Sequence, residues 1–280
     1  MVLRLVVLDF DGTLTRVDRD SVPFVGAYKD DIRKELGMTR DALEPKWEEK
    51  AKIIAANQDK YGWLIDGRIV APAYADSFIM TQTVASLILD DRGHTSIHAE
   101  RRAFLDALFR KNYAVVTTTF KDGVDDFLTA LKSAVDVCIV TNSETDSVSH
   151  KLGTLSDRHA DIPICGGAKK YVIHPDWEEV PESVDKPGYG RPIFIRRRNY
   201  WEVLKKLMQE RGVKREEVLI VGDIYELNLS LPEQMGMSII LTPRPSTPDF
   251  EMGAVESASN GKVVSDLKEV LEYIGRVNGA

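Results

Sequence analysis

Short apolar runs separated by helical segments constrain the fold of this chain more than any other feature. The runs are Val2–Leu8, Val137–Val140, Val218–Val221 and Ser238–Leu241. Apolar strands that alternate with helices are typical of a parallel sheet with helices on both faces, because such strands are buried on both sides. We therefore predict an α/β fold whose core is a doubly wound parallel sheet.

The stretch between the first two strands has a different pattern. From about Thr15 to Val116 the apolar residues recur with helical spacing, and Gly or Pro residues separate the segments. The predicted helices are Ala27–Leu36, Pro45–Ala56, Phe78–Leu89 and His98–Arg110. We predict that residues 1–17 and 118–280 form the core. Residues 18–117 are predicted to form an inserted, mostly helical domain with His94 and His98 at its surface.

Helices and strands alternate again after residue 120. The predicted helices are Gly123–Lys132, Thr145–Leu155, Asn199–Arg211 and Leu267–Val277. Gly212 is expected to end the third of them. Ile162–Ile173 is strand-like but ambiguous, and Pro175–Pro192 is predicted to be a loop because it is rich in Pro, Gly and charge. Arg196 and Arg197 are interpreted as a solvated charge run.

The composition of the chain disfavours two classes of binding partner, nucleic acid and membranes. A net charge of −7 over 280 residues disfavours a broad nucleic-acid-binding surface, and no apolar stretch is long enough to cross a membrane. Two cysteines without a CxxC pair favour a reduced, cytoplasmic protein. Arg4 interrupts the apolar N-terminus and carboxylates follow it at once, so we interpret this segment as a strand and not a signal peptide.

Polar residues follow three of the apolar strands. Asp9 and Asp11 follow the first, Thr141 and Asn142 the second, and Asp223 the third. Ligands of an open parallel sheet bind beyond the carboxyl ends of its strands, so we expect these side chains to meet there. Clustered carboxylates repel each other unless a cation lies between them, and an all-oxygen site with room for water suits Mg²⁺.

These residues resemble the motifs of the haloacid dehalogenase-like (HAD) superfamily, in its phosphatase branch. The matches are Asp9-Phe10-Asp11-Gly12-Thr13 for the first motif, Val137–Val140 with Thr141 for the second, and Val218–Gly222 with Asp223 for the fourth. The resemblance covers roughly Met1–Val17 and Phe120–Leu241, with the closing helix. It implies a Rossmannoid core with a helical cap inserted after the first motif.

The resemblance also implies a role for each residue. Asp9 would attack phosphorus and form an aspartyl-phosphate, and Asp11 would protonate the leaving oxygen and then activate water. The side chain of Asp9, the backbone carbonyl of Asp11 and Asp223 would hold Mg²⁺. Thr141, Asn142 and the amides beside them would bind the phosphoryl oxygens. Members that cleave carbon–halogen bonds generally lack the second acid, so Asp11 indicates phosphoryl transfer.

The third motif departs from the family pattern. It is normally a Lys that neutralises the nucleophile and the phosphate. Lys186 lies too far upstream of Asp223, whereas counting back from Asp223 leads to Arg198, and either cation could bind the phosphate. The second acid of the fourth motif falls near Asn228, an amide. We hypothesise an Arg198–Asn228 pair, with Glu226 as the alternative source of the missing charge.

The sequence therefore predicts a magnesium-dependent phosphohydrolase that acts on a small phosphorylated metabolite, and not on nucleic acid or at a membrane. A phosphomutase is one alternative, and accumulation of an isomer in place of free phosphate would identify it. A non-hydrolytic binding or regulatory protein on the same fold is the other alternative, because the third motif has no Lys at the usual position.

Overall fold

A computed structural model describes residues 2–57, 59–93, 98–113 and 116–279, with the backbone alone at residues 98 and 99. Up to the end of the insertion its elements are β1 (Leu5–Leu8), α1 (Val17–Glu35), α2 (Arg40–Ala56), β2 (Gly62–Ile65), β3 (Arg68–Pro72), α3 (Ser77–Asp91) and α4 (His98–Tyr113). The elements that follow are α5 (Val124–Ala134), β4 (Asp136–Val140), α6 (Thr145–Leu155), β5 (Ile164–Cys165), β6 (Ser183–Val184), β7 (Ile193–Phe194), α7 (Arg198–Arg211), β8 (Val218–Gly222), α8 (Ser230–Gln234), β9 (Ser238–Leu241), α9 (Asp249–Glu256), β10 (Gly261–Val263) and α10 (Leu267–Gly279). The predicted surface position of His94 lies outside the described residues, as does the side chain of His98.

The main sheet has six parallel strands within the described residues, in the order β10-β9-β8-β1-β4-β5. β1 lies at the centre, where Leu5 pairs with Asp136 of β4 and with Val218 of β8. The carboxyl ends of β1, β4 and β8 therefore lie at one edge. The predicted α/β fold with a parallel sheet and a helical insertion after β1 is confirmed.

Helices cover both faces of this sheet, and β1 shows why its sequence is continuously apolar. Leu5 and Val7 belong to one hydrophobic core with residues of α7, whereas Val6 and Leu8 belong to a second core with residues of α5 and α10. All four side chains are buried, and each contributes about 1.5–3 kcal/mol to folding. Gly212 ends α7 in the left-handed conformation, as expected of a C-terminal glycine.

The chain divides into two compact units, Met1–Arg16 with Phe120–Ala280, and Val17–Thr119. In the second unit, α1 to α4 bury an aromatic and aliphatic core that includes Phe24, Tyr28 and Trp47. This unit also contains the antiparallel hairpin β2–β3, which we did not predict. Its turn, Asp66-Gly67, has both residues at positive φ, the Asp-Gly signature of a two-residue hairpin.

Two segments of the first unit differ from the prediction. Only Ile164–Cys165 of the ambiguous Ile162–Ile173 segment is a strand, and the predicted loop contains part of a small antiparallel ribbon of β6 and β7. Among the described residues, no helix combines the length and apolar character needed to cross a membrane.

Candidate active site

Asp9 leaves the carboxyl end of β1, where its backbone N–H donates to Val221 O at 2.9 Å. The side chain is buried, and Thr13 Oγ1 donates to Asp9 Oδ2 at 3.4 Å. The turn after it depends on Gly12, whose φ is +82°. A Cβ at Gly12 would lie 2.0 Å from Asp223 Oδ2, so only glycine lets the two strand ends approach this closely.

Asp11 has a different environment from Asp9. Ser143 Oγ donates to Asp11 Oδ2 at 2.5 Å, and Lys151 Nζ of α6 lies 3.4 Å from Asp11 Oδ1. The Asp11 side chain is about one-third exposed, in contrast to the buried Asp9. The two carboxylates thus have different partners and different exposures.

Thr141 and Asn142 lie at the end of β4, as predicted. Thr141 Oγ1 accepts from Ser143 N at 3.2 Å, and the Thr141 carbonyl accepts from Ala168 N at 2.9 Å. Asn142 Oδ1 accepts from Lys170 N at 2.8 Å. These hydrogen bonds hold residues 168–170, which follow β5, against the end of β4.

Lys170 is the cation beside Asp9. Its Nζ donates to Asp9 Oδ1 at 2.8 Å and to Asn228 Oδ1 at 3.0 Å, and it lies 5.1 Å from the centroid of the Tyr200 ring. The side chain is only 1% exposed. A buried lysine is costly without a charged partner, and Asp9 supplies one.

Among the described residues Lys170 contacts Asp9, and the two cations suggested by the sequence do not. Lys186 Nζ instead pairs with Glu233 Oε1 at 2.7 Å. Arg198 is exposed at the first position of α7. The expectation that Arg198 or Lys186 lies beside the nucleophile is therefore wrong. Counting back from the fourth motif failed because a long loop and a ribbon, residues 171–197, separate the cation from α7.

A signal for Lys170 was present in the sequence. Gly166-Gly167 follows a short apolar run, Ile162–Cys165, and Lys169-Lys170 follow after Ala168. This run contains β5, which pairs in parallel with β4 and so ends at the same edge. Reading it as a strand end would have placed Lys170 with the other polar residues.

Asp223 and Asn228 complete the buried cluster. Asn228 Nδ2 donates to Asp223 Oδ1 at 3.1 Å while its Oδ1 accepts from Lys170. An amide can bridge a cation and a carboxylate in this way, whereas a carboxylate at position 228 would repel Asp223. Gly222 permits the approach, because a Cβ there would lie 2.5 Å from Asn228 Cβ. The hypothesis of an Arg198–Asn228 pair is wrong, since Lys170 is the partner.

Arg244 is a second cation that sequence reasoning missed. Its Nε lies 3.0 Å from Asp223 Oδ2, and both side chains are buried. Burial raises the pKa of Asp223 to about 7; the Arg244 guanidinium opposes the rise, and the charge of Asp9 adds to it. Arg244 follows β9 in a Pro-rich loop, which carried no sequence signal for a site.

Glu226 is buried but does not contact Lys170 directly. It forms a bidentate pair with Arg191, with Nη1–Oε1 and Nη2–Oε2 distances of 3.0 and 2.6 Å. Arg197 Nη2 lies 3.8 Å from Glu226 Oε1, and Arg197 is 0% exposed. The interpretation of Arg197 as a solvated residue is therefore wrong, because it is enclosed beside a buried carboxylate.

The carboxylate oxygens of this site suit a hard divalent cation. Asp9 and Asp223 are close enough for the charge of one to raise the pKa of the other, and both offer carboxylate oxygens, which Mg²⁺ prefers. Within the described part of the chain, no group of three or more His, Cys, Asp or Glu residues is arranged to hold a metal. Two carboxylates, a backbone carbonyl and water would complete such a site without a third acid.

Comparisons with known proteins bear on the family and the fold of this chain. The haloacid dehalogenase-like hydrolase family model matches residues 3–236. A comparison with curated proteins finds no match. Similar solved structures include YfnB of Bacillus subtilis bound to magnesium, at 12% identity and TM-score 0.55, which covers 98% of this chain and 100% of that one.

Two further solved structures show the same fold. A haloacid dehalogenase-like protein of Agrobacterium tumefaciens has 15% identity and a TM-score of 0.55, with 98% of both chains covered. A HAD phosphatase of Thermococcus onnurineus has 13% identity and a TM-score of 0.50, again with 98% of both covered. Because the family model spans most of the sequence and these folds align along nearly the whole chain, the protein belongs to the haloacid dehalogenase-like hydrolase family.

Proposed function

We propose that the protein is a Mg²⁺-dependent phosphohydrolase that cleaves a small phosphomonoester through an aspartyl-phosphate on Asp9. One observation carries this proposal: two carboxylates at the end of one strand have separate partners, Lys170 for Asp9 and Ser143 with Lys151 for Asp11. Pairs of acids in different environments take different chemical roles. A nucleophile together with a separate proton donor suits phosphoryl transfer to and from oxygen.

The reaction has two displacements. An Asp9 carboxylate oxygen attacks phosphorus, the bond to the leaving oxygen breaks, and Asp11 gives that oxygen a proton. Asp11 then removes a proton from water as the water oxygen attacks phosphorus, which releases inorganic phosphate and restores the Asp9 carboxylate. Lys170 reduces the repulsion between the Asp9 carboxylate and the incoming phosphate dianion.

Mg²⁺ would be held by the carboxylates of Asp9 and Asp223 and by the backbone carbonyl of Asp11. When bound, it supplies positive charge that offsets the negative charge of the transferring phosphoryl group. The magnesium in the similar Bacillus subtilis structure supports this choice of ion. Thr141, Asn142 and the amides beside them would bind phosphoryl oxygens, with Lys170 as the cation in place of Lys186 or Arg198.

We also propose that the chain consists of two domains with different functions. Residues 1–17 and 118–280 would form the catalytic domain, and residues 18–117 the helical cap that selects a small phosphorylated metabolite. The two compact units of the chain support this division.

Phosphate release from an aryl phosphate, with and without Mg²⁺, tests the proposal. Wild type should release phosphate only with the metal, and Asp9→Asn should release none above background. Asp122→Asn is the matched control, because the Asp122 side chain is 97% exposed and pairs only with Arg16 among the described residues. Equal release by wild type and Asp9→Asn would contradict the proposed nucleophile.

The role of Asp11 has its own test. A nitrophenolate leaves without a proton, whereas an alkoxide needs one, so Asp11→Asn should reduce turnover far more for an alkyl phosphate than for nitrophenyl phosphate. Chloride release from a 2-chloroalkanoic acid, without phosphate release from any ester, would identify a dehalogenase instead. Conversion of a sugar phosphate to its isomer without free phosphate would identify a mutase.

A further inference from the structure

Lys170 is held at three points. Its backbone N–H donates to Asn142 Oδ1, its Nζ bonds Asp9 and Asn228, and its carbonyl accepts from Arg197 Nη1 at 2.6 Å. The residue before it, Lys169, has a φ of +47°, a left-handed conformation that is unfavourable for a non-glycine residue. The segment therefore needs anchors to keep Lys170 in place.

Arg197 is the anchor at the Lys170 carbonyl. It is fully buried at the start of α7, and its Nε also donates to Phe194 O at 3.1 Å. An arginine with no exposure costs free energy to bury, and most such residues pair with an acid. Its acid is Glu226, which is equally buried and is shared with Arg191.

The position of Glu226 connects this anchor to the active site. Glu226 and Asn228 lie on the same π-helical turn, Tyr225–Leu229, which Ile224 connects to Asp223. π-Helical turns occur frequently at functional sites. Asn228 holds the Lys170 ammonium directly, while Glu226 orients Arg197, which holds the Lys170 carbonyl. Residues of one turn therefore act on both the ammonium and the backbone carbonyl of Lys170.

We propose that Arg197, oriented by Glu226, is a positioning residue that aligns Lys170 with Asp9. This inference rests on the proposed function. The acid that the fourth motif lacks at position 228 is replaced by Glu226, which acts on the backbone of the lysine and not on its ammonium. Misplacement of a catalytic group by 1 Å costs about 100-fold in rate, so loss of the anchor is expected to reduce kcat by about 10- to 100-fold.

A double-mutant cycle of Arg197→Lys and Lys170→Met tests the proposal. Arg197→Lys keeps a positive charge beside Glu226 but lacks the guanidinium fork that reaches two carbonyls. In the wild-type background we expect it to lower kcat by about 10- to 100-fold, with a smaller change in KM. In the Lys170→Met background we expect Arg197→Lys to lower kcat by less than about twofold further, because the ammonium group that Arg197 positions is absent.

Arg196→Met is the matched control, since the Arg196 side chain donates only to the carbonyls of Val180 and Pro175 among the described residues. It should leave kcat unchanged. If Arg197→Lys does not fold, Glu226→Gln takes its place in the same cycle. Equal losses in both backgrounds, or no loss in the wild-type background, would overturn the positioning role.

The outcomes also separate this inference from the proposed function. Absence of phosphate release by wild type would reject both. Activity that depends on Asp9 and Lys170 but shows additive effects of Arg197→Lys and Lys170→Met would reject the positioning role alone.

Discussion

Replacing Lys170 with Met should impair both the stability and the activity of this protein. The Lys170 ammonium lies 2.8 Å from Asp9, and the two side chains are 1% and 10% exposed. Methionine has a similar length without the charge, so the substitution removes the ion pair and leaves the packing nearly unchanged. Asp9 then remains buried near Asp223 without its cation.

The magnitude follows from the distance and the burial. At 2.8 Å and an effective dielectric constant of about 20, the attraction is about 6 kcal/mol, part of which offsets the cost of burying the two charges. Breaking a buried pair by removing one partner typically costs about 3–5 kcal/mol. The loss of one preorganised charge should lower kcat by about 100- to 1000-fold.

Urea unfolding and phosphate release measure the two effects. Lys170→Met should lower the free energy of unfolding by about 3–5 kcal/mol, and Asp9→Asn added to it should recover most of that loss because no buried charge is left unpaired. Lys169→Met is the control, because Lys169 is exposed. A Lys170→Met protein as stable as wild type, or a double variant no more stable than the single one, would refute the reasoning.

Three further predictions concern neighbouring residues. Arg244→Met should tighten Mg²⁺ binding by about tenfold, measured from Mg²⁺-dependent thermal stabilisation, because a cation 3.0 Å from Asp223 is removed; unchanged affinity would contradict this. Burial raises the pKa of Glu251 from 4.5 to about 7, so its contribution to stability is present below pH 4.5 and is lost as pH rises towards 7. Glu251→Gln should flatten the decline of unfolding free energy over that range, and an unchanged slope would count against it. Asn228→Asp should lower the free energy of unfolding without Mg²⁺ by about 1–3 kcal/mol, because a carboxylate replaces the donor to Asp223; full stability in a metal chelator would argue against this.

The sheet was predictable because its physical signal is local. Each central strand is a continuous apolar run, and a strand buried on both faces needs that composition wherever it lies in the chain. The residues at the ends of these runs, Asp9, Asp11, Thr141 and Asp223, could be predicted to share one edge because parallel strands all point the same way. The hairpin β2–β3 also has a local signal, Asp66-Gly67, although the surrounding residues are spaced as in helices.

The cationic side of the site was not predictable in the same way. Lys170 follows a strand of only two residues, so its sequence signal, Gly166-Gly167 after a short apolar run, is weak, and Arg244 lies in a Pro-rich segment that has no such signal. Arg197 stands between two other arginines, where a sequence suggests solvent exposure, yet it is buried because Glu226 compensates its charge. Pairing over such distances in the chain depends on tertiary structure, so composition and spacing alone could not reveal it.

Each carboxylate of the candidate site has one cation beside it. The pairs are Asp9 with Lys170 at 2.8 Å, Asp11 with Lys151 at 3.4 Å, and Asp223 with Arg244 at 3.0 Å. With all three carboxylates ionised, the group is neutral before any ligand binds. Mg²⁺ alone would leave it with two excess positive charges and a phosphate dianion alone with two excess negative charges, whereas the two together restore neutrality.

Because an unbalanced buried charge is costly, we expect Mg²⁺ and phosphate to bind cooperatively. Calorimetric titration of Mg²⁺ should give a Kd at least about fivefold lower in the presence of saturating inorganic phosphate, and linkage requires Mg²⁺ to strengthen phosphate binding by the same factor. Lys151→Met leaves the site with one excess negative charge, so Mg²⁺ should bind this variant more tightly and gain less from phosphate. Equal Mg²⁺ affinity with and without phosphate would show that charge balance does not govern binding, and the paired cations would then have to be explained by the stability of the folded core alone.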